Sequence, residues 1–201
     1  MSREDALETY RSKRDFAQSP EPPGDKGASD QDKRIWVIQK HQARNLHYDL
    51  RIEIDGVLKS WAVPKGPSTD PSVKRLATPT EDHPMDYADF EGVIPEGEYG
   101  GGTVIVWDAG RYRNLRTDED GKEMPMPACY EDGKIEVSLA GRKLRGGYVL
   151  IRTGKDKSGR YRWLLKKIKD DQADNPVSPE PRSVLTGRTL EEVAAEEGPA
   201  G

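Results

Sequence analysis

The segment His47-Tyr-Asp49-Leu-Arg51-Ile-Glu53 sets an imidazole, a carboxylate, a guanidinium and a second carboxylate at every other position. Successive strand side chains point to opposite faces, so these four share one face while Tyr48, Leu50, Ile52 and Ile54 share the other. A neutral imidazole and a carboxylate two residues apart on a strand can converge on one divalent cation. A guanidinium two residues further on can take phosphate oxygens in a forked, charge-assisted contact. His41, six residues before His47, ends the preceding β-rich run and is a candidate third ligand. The chain has three histidines, and all fall within residues 41–83. The last, His83, sits in Thr80-Glu-Asp-His83-Pro-Met-Asp-Tyr87, a segment dense in donors, acceptors and a phenol. These residues leave open a metal centre, an anion pocket or a solvated polar strand face.

A hairpin must hold that row. Asp55-Gly56 is a two-residue turn signal, and its register pairs Asp49 with Ala62, Arg51 with Ser60, Leu50 with Trp61 and Tyr48 with Val63. The polar face then meets small partners, which leaves room above it for a ligand. Further β-rich runs are read at 35–41, 103–107, 134–139, 148–152 and 161–168, separated by Gly100-Gly-Gly102, Asp132-Gly133, Gly146-Gly147 and Ser158-Gly159. Short strands without long intervening helices predict a mainly β fold: a closed or nearly closed β-barrel with short peripheral helices and extended tails. The expected divisions are an N-terminal arm and Pro-rich linker at 1–34, the barrel at 35–170 and an acidic extended tail at 171–201. Residues 3–16 read as a short polar helix or arm, and Arg14-Asp15-Phe16 beside the Pro-rich stretch is expected to fold back over the site. Thr189-x-x-Glu192 matches a capping box for a closing helix. Trp36, Trp61, Trp107 and Trp163 are expected in the core, Cys129 in an inert Pro-rich loop, and Gly100 to Gly102 at a barrel bend.

Composition narrows the function classes. The 201 residues are 33% hydrophobic and 34% charged, with 14 aromatics (2 Phe, 4 Trp, 8 Tyr), which argues against a wholly disordered chain. Apolar runs such as Thr103-Val-Ile-Val-Trp107 are far shorter than the roughly 20 residues a membrane helix needs, and Met1-Ser-Arg-Glu-Asp5 opens without a secretory signal. One cysteine excludes an intrachain disulfide framework and suits a reducing cytoplasm. The net charge of −4 hides segregation: residues 35–169 carry 23 basic and 20 acidic side chains, and residues 170–201 carry 2 and 8. Residues 142–169 alone hold 11 basic side chains against Asp156, partly as outer faces of core strands and partly as candidates for duplex phosphates.

Four ordered blocks resemble the 3′-phosphoesterase domain of bacterial DNA ligase D: His41-x5-His47-Tyr-Asp49-Leu-Arg51, Trp61-Ala-Val-Pro-Lys65-Gly, Glu81-Asp-His83-Pro-x-Asp-Tyr87 and Phe90-Glu-Gly-x-Ile-Pro-Glu-Gly-x-Tyr-Gly-Gly-Gly102. The likeness runs from about Leu7 to Ile168 and takes in Tyr10-Arg-x-Lys-Arg14-Asp15-Phe and Trp163-Leu-Leu165. With no ligase or polymerase module following, the chain resembles a stand-alone version. The resemblance implies a closed barrel with a manganese-dependent site, other divalent metals being possible, that removes 3′-terminal ribonucleosides and 3′-phosphates to leave 3′-OH ends. His41, His47 and Asp49 would hold the metal, Arg51, His83 and Tyr87 the scissile phosphate. Arg14, Asp15, Lys65, Arg75 and Glu81 would support site or substrate. It also implies DNA or RNA-tailed DNA 3′ ends as substrate in non-homologous end joining. Separately encoded DNA ligase, polymerase and Ku-type end-binding proteins would be partners of a monomer in the nucleoid-associated cytoplasm, away from membranes. Two rivals stand beside it: a non-catalytic DNA-end-binding module, and a 2-His-1-carboxylate iron oxygenase using His47, Asp49 and His83.

Overall fold

The computed structural model describes residues 3–24, 34–157, 159–176 and 180–198. The linker-like segment 25–33, Ser158 of one expected turn, and Pro179 of the tail lie outside the described residues. Among the described residues nine strands form: β1 (Ile35–Gln42), β2 (Leu46–Ile54), β3 (Val57–Val63), β4 (Lys74–Pro79), β5 (Gly92–Ile94), β6 (Gly102–Asn114), β7 (Lys134–Ala140), β8 (Arg145–Lys155) and β9 (Tyr161–Lys167). The antiparallel order β1-β2-β3-β4-β9-β8-β7-β6 closes through β1 on β6, making an eight-stranded barrel, and β5 is added beside β6. Closure removes the exposed sheet edges an open sheet would present. Short helices α1 (Arg3–Ser12), α2 (Met126–Asp132) and α3 (Leu190–Glu197) surround it.

The β2–β3 register is the expected one, with Asp49 opposite Ala62 and Arg51 opposite Ser60. Asp55 and Gly56 both take positive φ, 58° and 80°, as a two-residue turn matched to strand twist requires. Strands β4 and β5 go beyond the sequence reading. β4 buries only Ala77 and ends on Pro79, so it shows no apolar alternation. β6 continues to Asn114, well past the expected end at Trp107. Cys129 lies buried on α2, not in a loop. Gly102 opens β6 against the end of β1, where a Cβ would collide with the Gln42 carbonyl, so this glycine serves close strand approach.

Two apolar layers result. The barrel interior holds all four tryptophans, with Leu50, Ile52 and Leu165 among their neighbours. A second cluster lies on the outer face: Val37, Leu58, Val104 and Val106 from the barrel meet Tyr10 of α1 and Tyr87 of the 85–89 turn. Strands β1 to β3 thus carry apolar packing on both faces, and the polar row of β2 lies beside the outer cover, where it lines a cleft. α1 suits its place, with Glu4 and Asp5 in its first turn, Arg11 in its last, and Leu7 and Tyr10 fully buried. At the other end, Thr189 and Glu192 form both bonds of a capping box, and Leu190 and Val193 bury against Ile105. No helix among the described residues is long and apolar enough to cross a membrane.

Asp108 fastens the closing strand. Its buried carboxylate accepts the backbone amides of Arg142, Lys143 and Leu144 at 3.0, 3.1 and 2.7 Å. Asp108→Ala strands three donors and should lower stability by about 2–4 kcal/mol, measured as a shift of the urea midpoint at unchanged slope.

Candidate active site

The outer faces of β1, β2 and β3 form the floor of a cleft of about 300 Å³. Its centre is Asp49. One carboxylate oxygen, Oδ2, lies 3.4 Å from His41 Nδ1, 3.5 Å from His47 Nε2 and 3.7 Å from Arg51 Nη2. The antiparallel pairing of His41 with His47 sets their rings 4.7 Å apart, tilted at 49°, beside the β1–β2 turn. Burial alone would raise the Asp49 carboxyl, but the two imidazoles and the guanidinium hold it below the usual carboxylate range. The Asp49 hydrogen bond in turn raises His47.

His41, His47 and Asp49 each offer a ligand atom, all within 4.8 Å of one another, the only such group found among the described residues. Two features show that the set fits a divalent cation. His47 Nδ1 lies 3.0 Å from the Asn45 carbonyl, which fixes that nitrogen as a donor, so Nε2 is the atom facing the centre and supplies a lone pair to a cation once it gives up its proton. His41 keeps its Nε2 buried without a partner while Nδ1 faces Asp49. Two imidazole nitrogens and one carboxylate oxygen suit a first-row divalent ion.

Beside this group is an anion-seeking wall. Arg51, buried, donates through Nε to Gln39 Oε1 at 2.7 Å and through Nη1 to Ser60 Oγ at 2.9 Å, and lies 4.7 Å above the Tyr87 ring. Gln39 is itself held by the carbonyls of Tyr87 and Phe90, both at 3.0 Å. A second guanidinium arrives from the arm. Arg14 donates to Glu21 Oε1 at 2.9 Å and Glu81 Oε1 at 3.1 Å, and its Nη2 lies 3.3 Å from His83 Nε2. Lys13 and the Tyr99 hydroxyl reach the other Glu81 oxygen at 3.0 and 3.3 Å, clamping the arm to the 95–101 loop. The Tyr87 hydroxyl donates to Glu21 at 2.9 Å, and burial, with Glu21 nearby, drives its acidity far down.

Because a guanidinium only donates, His83 Nε2 must accept from Arg14, and its Nδ1–H points to the Glu81 carbonyl at 2.9 Å. His83 is therefore a neutral imidazole. Burial, then Arg51 and Arg14, hold it well below its ordinary value.

The cleft thus brings together His41, His47, Asp49, Arg51, His83, Tyr87, Arg14 and Glu81. Asp15, Lys65 and Arg75 do not line it. Asp15 is exposed and accepts the Ala17 amide within its own turn. Lys65 is exposed after β3, and Arg75 shares a strand face with Ala77, which packs in the barrel interior. His83 is outside the ligand group and against Arg14, unlike the placement the oxygenase rival needs. Sequence reasoning misses Glu21 because it lies in Ser19-Pro-Glu21-Pro-Pro, a stretch without periodicity. Gln39 does carry a signal, since alternation from His41 puts it on the same face. Tyr99, within Gly97-Glu-Tyr99-Gly, has no chemical pattern around it that would assign it a role.

A family model described as the DNA ligase D 3′-phosphoesterase domain matches residues 39–152. The multifunctional non-homologous end joining protein LigD of Pseudomonas aeruginosa is 48% identical over 190 residues, 92% of this chain and 22% of that protein. The non-homologous end joining DNA repair protein LigD of Mycobacterium tuberculosis is 44% identical over 173 residues, 86% of this chain and 21% of that protein. LigD of Mycolicibacterium smegmatis is 44% identical over 175 residues, covering 86% and 22%. The chain spans about a fifth of the length of these relatives.

His83 yields a test by pH. The unfolded chain protonates this imidazole near 6.5 while the folded protein resists, so folding stability falls as pH drops below 6.5. The loss approaches about 1.4 kcal/mol per pH unit for one group. His83→Gln should flatten that limb in urea melts taken at successive pH values; an unchanged slope would assign it elsewhere.

Proposed function

The chain belongs to the DNA ligase D 3′-phosphoesterase domain family, and on that premise we propose that it is a metal-dependent phosphoesterase that heals nucleic-acid 3′ ends. Its substrates would be a 3′-terminal ribonucleoside, removed by diester cleavage, and the 3′-phosphate left behind, removed to give 3′-OH. The relatives' end-joining names support DNA breaks as the setting and DNA or RNA-tailed 3′ ends as partners. Separately encoded ligase, polymerase and end-binding proteins would then use the product. The division into arm (1–34), phosphoesterase barrel (35–170) and acidic tail (171–201) belongs to the same proposal.

One observation carries the reading: a His-His-Asp ligand group lies directly beside a buried guanidinium fixed on three sides. The ligands alone would equally serve redox chemistry; the adjoining Arg51 and Arg14 favour a phosphate. His41, His47 and Asp49 would hold the ion, which we take to be Mn²⁺. When bound, such an ion supplies Lewis-acid polarisation and a water of lowered pKa.

The protein's own groups do the rest. Gln39, Ser60 and the Tyr87 ring lock Arg51 in one rotamer, so no reorganisation is needed as charge grows on the phosphoryl oxygens. Glu21 and Glu81 do the same for Arg14. Tyr87 keeps its phenol proton, donates it in a hydrogen bond to Glu21, and forms the wall under Arg51. His83, neutral with its lone pair toward Arg14, suits orienting that guanidinium better than donating a proton in the resting state. Roles for Asp15, Lys65 and Arg75 would be indirect, or would involve substrate beyond the cleft.

A manganese-dependent assay on a 3′-phosphorylated primer separates this enzyme from a module that binds ends without cleaving them. Asp49→Ala and His47→Ala should lose both turnover and Mn²⁺ affinity. Arg51→Lys keeps the charge but not the fork and should lose roughly 10²–10³-fold in kcat while Mn²⁺ titration stays as in the wild type. Equal loss of metal in Arg51→Lys would show that Arg51 acts by holding the Asp49 ligand in place and not on the phosphate.

The arm is tested separately. Deleting residues 1–16 removes Arg14 from Glu81 and His83 and should depress turnover on DNA ends with the barrel still folded by circular dichroism. Full activity of the truncated protein would leave the arm no part in the site.

A further inference from the structure

We propose that the β8–β9 hairpin is a second nucleic-acid contact, binding the sugar–phosphate backbone of the duplex behind the 3′ end. The inference rests on reading the cleft as a 3′-end site. Residues 142–169 carry 11 basic side chains and one acidic one. Several basic groups in this stretch serve the fold: Lys167 holds the Gly147 and Ile168 carbonyls and Asp170, and Lys143 holds the carbonyls of Glu180 and Arg182. At the hairpin the cations face outward. Lys155, Lys157, Arg160 and Arg162 are exposed, and with Asp156 they line a shallow groove of about 450 Å³. Four cations and one carboxylate leave the groove at +3, even with Arg160 lying 3.6 Å from Asp156.

The hairpin is shaped as well as charged. Tyr161 is 45% exposed, with Lys155 Nζ 4.7 Å and the Arg152 guanidinium 4.8 Å from its ring, which holds two cations near one flat surface. The register shift between Arg152 and Lys155 bends the tip out of the regular ladder.

Its place in the barrel connects it to the cleft. The β2 row runs from His47 toward the Asp55-Gly56 turn, and β3 leaves that turn beside His83 through the Leu58–His83 bridge. Antiparallel pairing puts the end of β4, the start of β9 and the end of β8 at this same end of the barrel. Packing fixes the base of the hairpin relative to the His83 loop: Asp82, next to His83, pairs with Lys59 at 2.5 Å, Lys59 lies 4.9 Å from the Tyr130 ring, Tyr130 stacks on the buried Trp163 at 5.7 Å, and Arg152 lies 5.8 Å from Trp163. The opposite flank has the other sign. There α3, with Glu191, Glu192, Glu196 and Glu197, packs on β5 and β6, and pairing with Arg182 and Arg188 still leaves four carboxylates against two guanidinium groups. A polyanion whose end sits in the cleft is repelled on the β6 side and drawn along the β9 side, toward the hairpin.

The test is Lys155→Gln/Arg160→Gln/Arg162→Gln in the full chain, with Arg162→Glu as a second variant. Binding of a fluorescein-labelled primer–template duplex is followed by anisotropy over a salt series, and turnover is measured on a 3′-phosphorylated dinucleotide that fills only the cleft. The triple variant should bind the duplex about 10-fold or more weakly, and its slope of log K against log salt should flatten by about 0.9 for each phosphate the hairpin no longer neutralises. Dinucleotide turnover should match the wild type. Arg162→Glu should weaken duplex binding alone. Unchanged duplex affinity and salt slope in both variants would overturn the proposal. If the wild type cleaves neither 3′-phosphate nor 3′-ribonucleoside while the variants still lose duplex binding, the hairpin contact stands and the reading of the cleft falls.

Discussion

The site is organised around keeping a carboxylate charged out of water. Asp49 is 7% exposed, and one oxygen faces two imidazoles and a guanidinium. An isolated buried carboxylate would cost several kcal/mol and would protonate instead. With three positive or polarisable neighbours it stays ionised, and that requires β1, β2 and β3 to hold a fixed register. A slip of one residue would send the row into the tryptophan-lined interior.

A second layer follows from the first. Arg51 and Arg14 are as deeply covered as Asp49, so their remaining donors need partners, and the fold supplies them from distant parts of the chain. Gln39 and Ser60 come from neighbouring strands, Glu21 from the Pro-rich arm and Glu81 from the loop after β4. Removing one member leaves a buried charge unpaired, so the network is rigid by necessity and costly to perturb. The aromatic side chains of Tyr10, Tyr87 and Phe90 pack against one side of it. Enzymes that stabilise developing charge use this kind of preorganised setting.

The neutral state of His83 follows from the same crowding. Two guanidinium groups and full burial oppose a third positive charge, and the Arg14 donor takes up its lone pair. A phosphate entering between Arg14 and Arg51 would bring negative charge to the place where the protein has concentrated positive charge.

Much of this was legible in the sequence. Alternation along His47 to Ile54 and the Asp55-Gly56 turn fixed the hairpin register, its polar face and the grouping of Asp49 with Arg51, because strand geometry and two-residue turns are local. Short strands between glycine turns indicated the barrel class, and the ordered motif blocks indicated the family. Tertiary structure alone decided the rest. β4 pairs through neighbours its own residues do not advertise, and barrel closure through β1 on β6 is a long-range contact. Glu21 enters the site from a Pro-rich stretch whose local pattern is silent. The proton on His83 depends on Arg14, 69 residues away in the chain, whose position is set by folding the arm across the barrel. Sequence periodicity reports which side of a strand a residue occupies; only packing decides which distant charge it meets there.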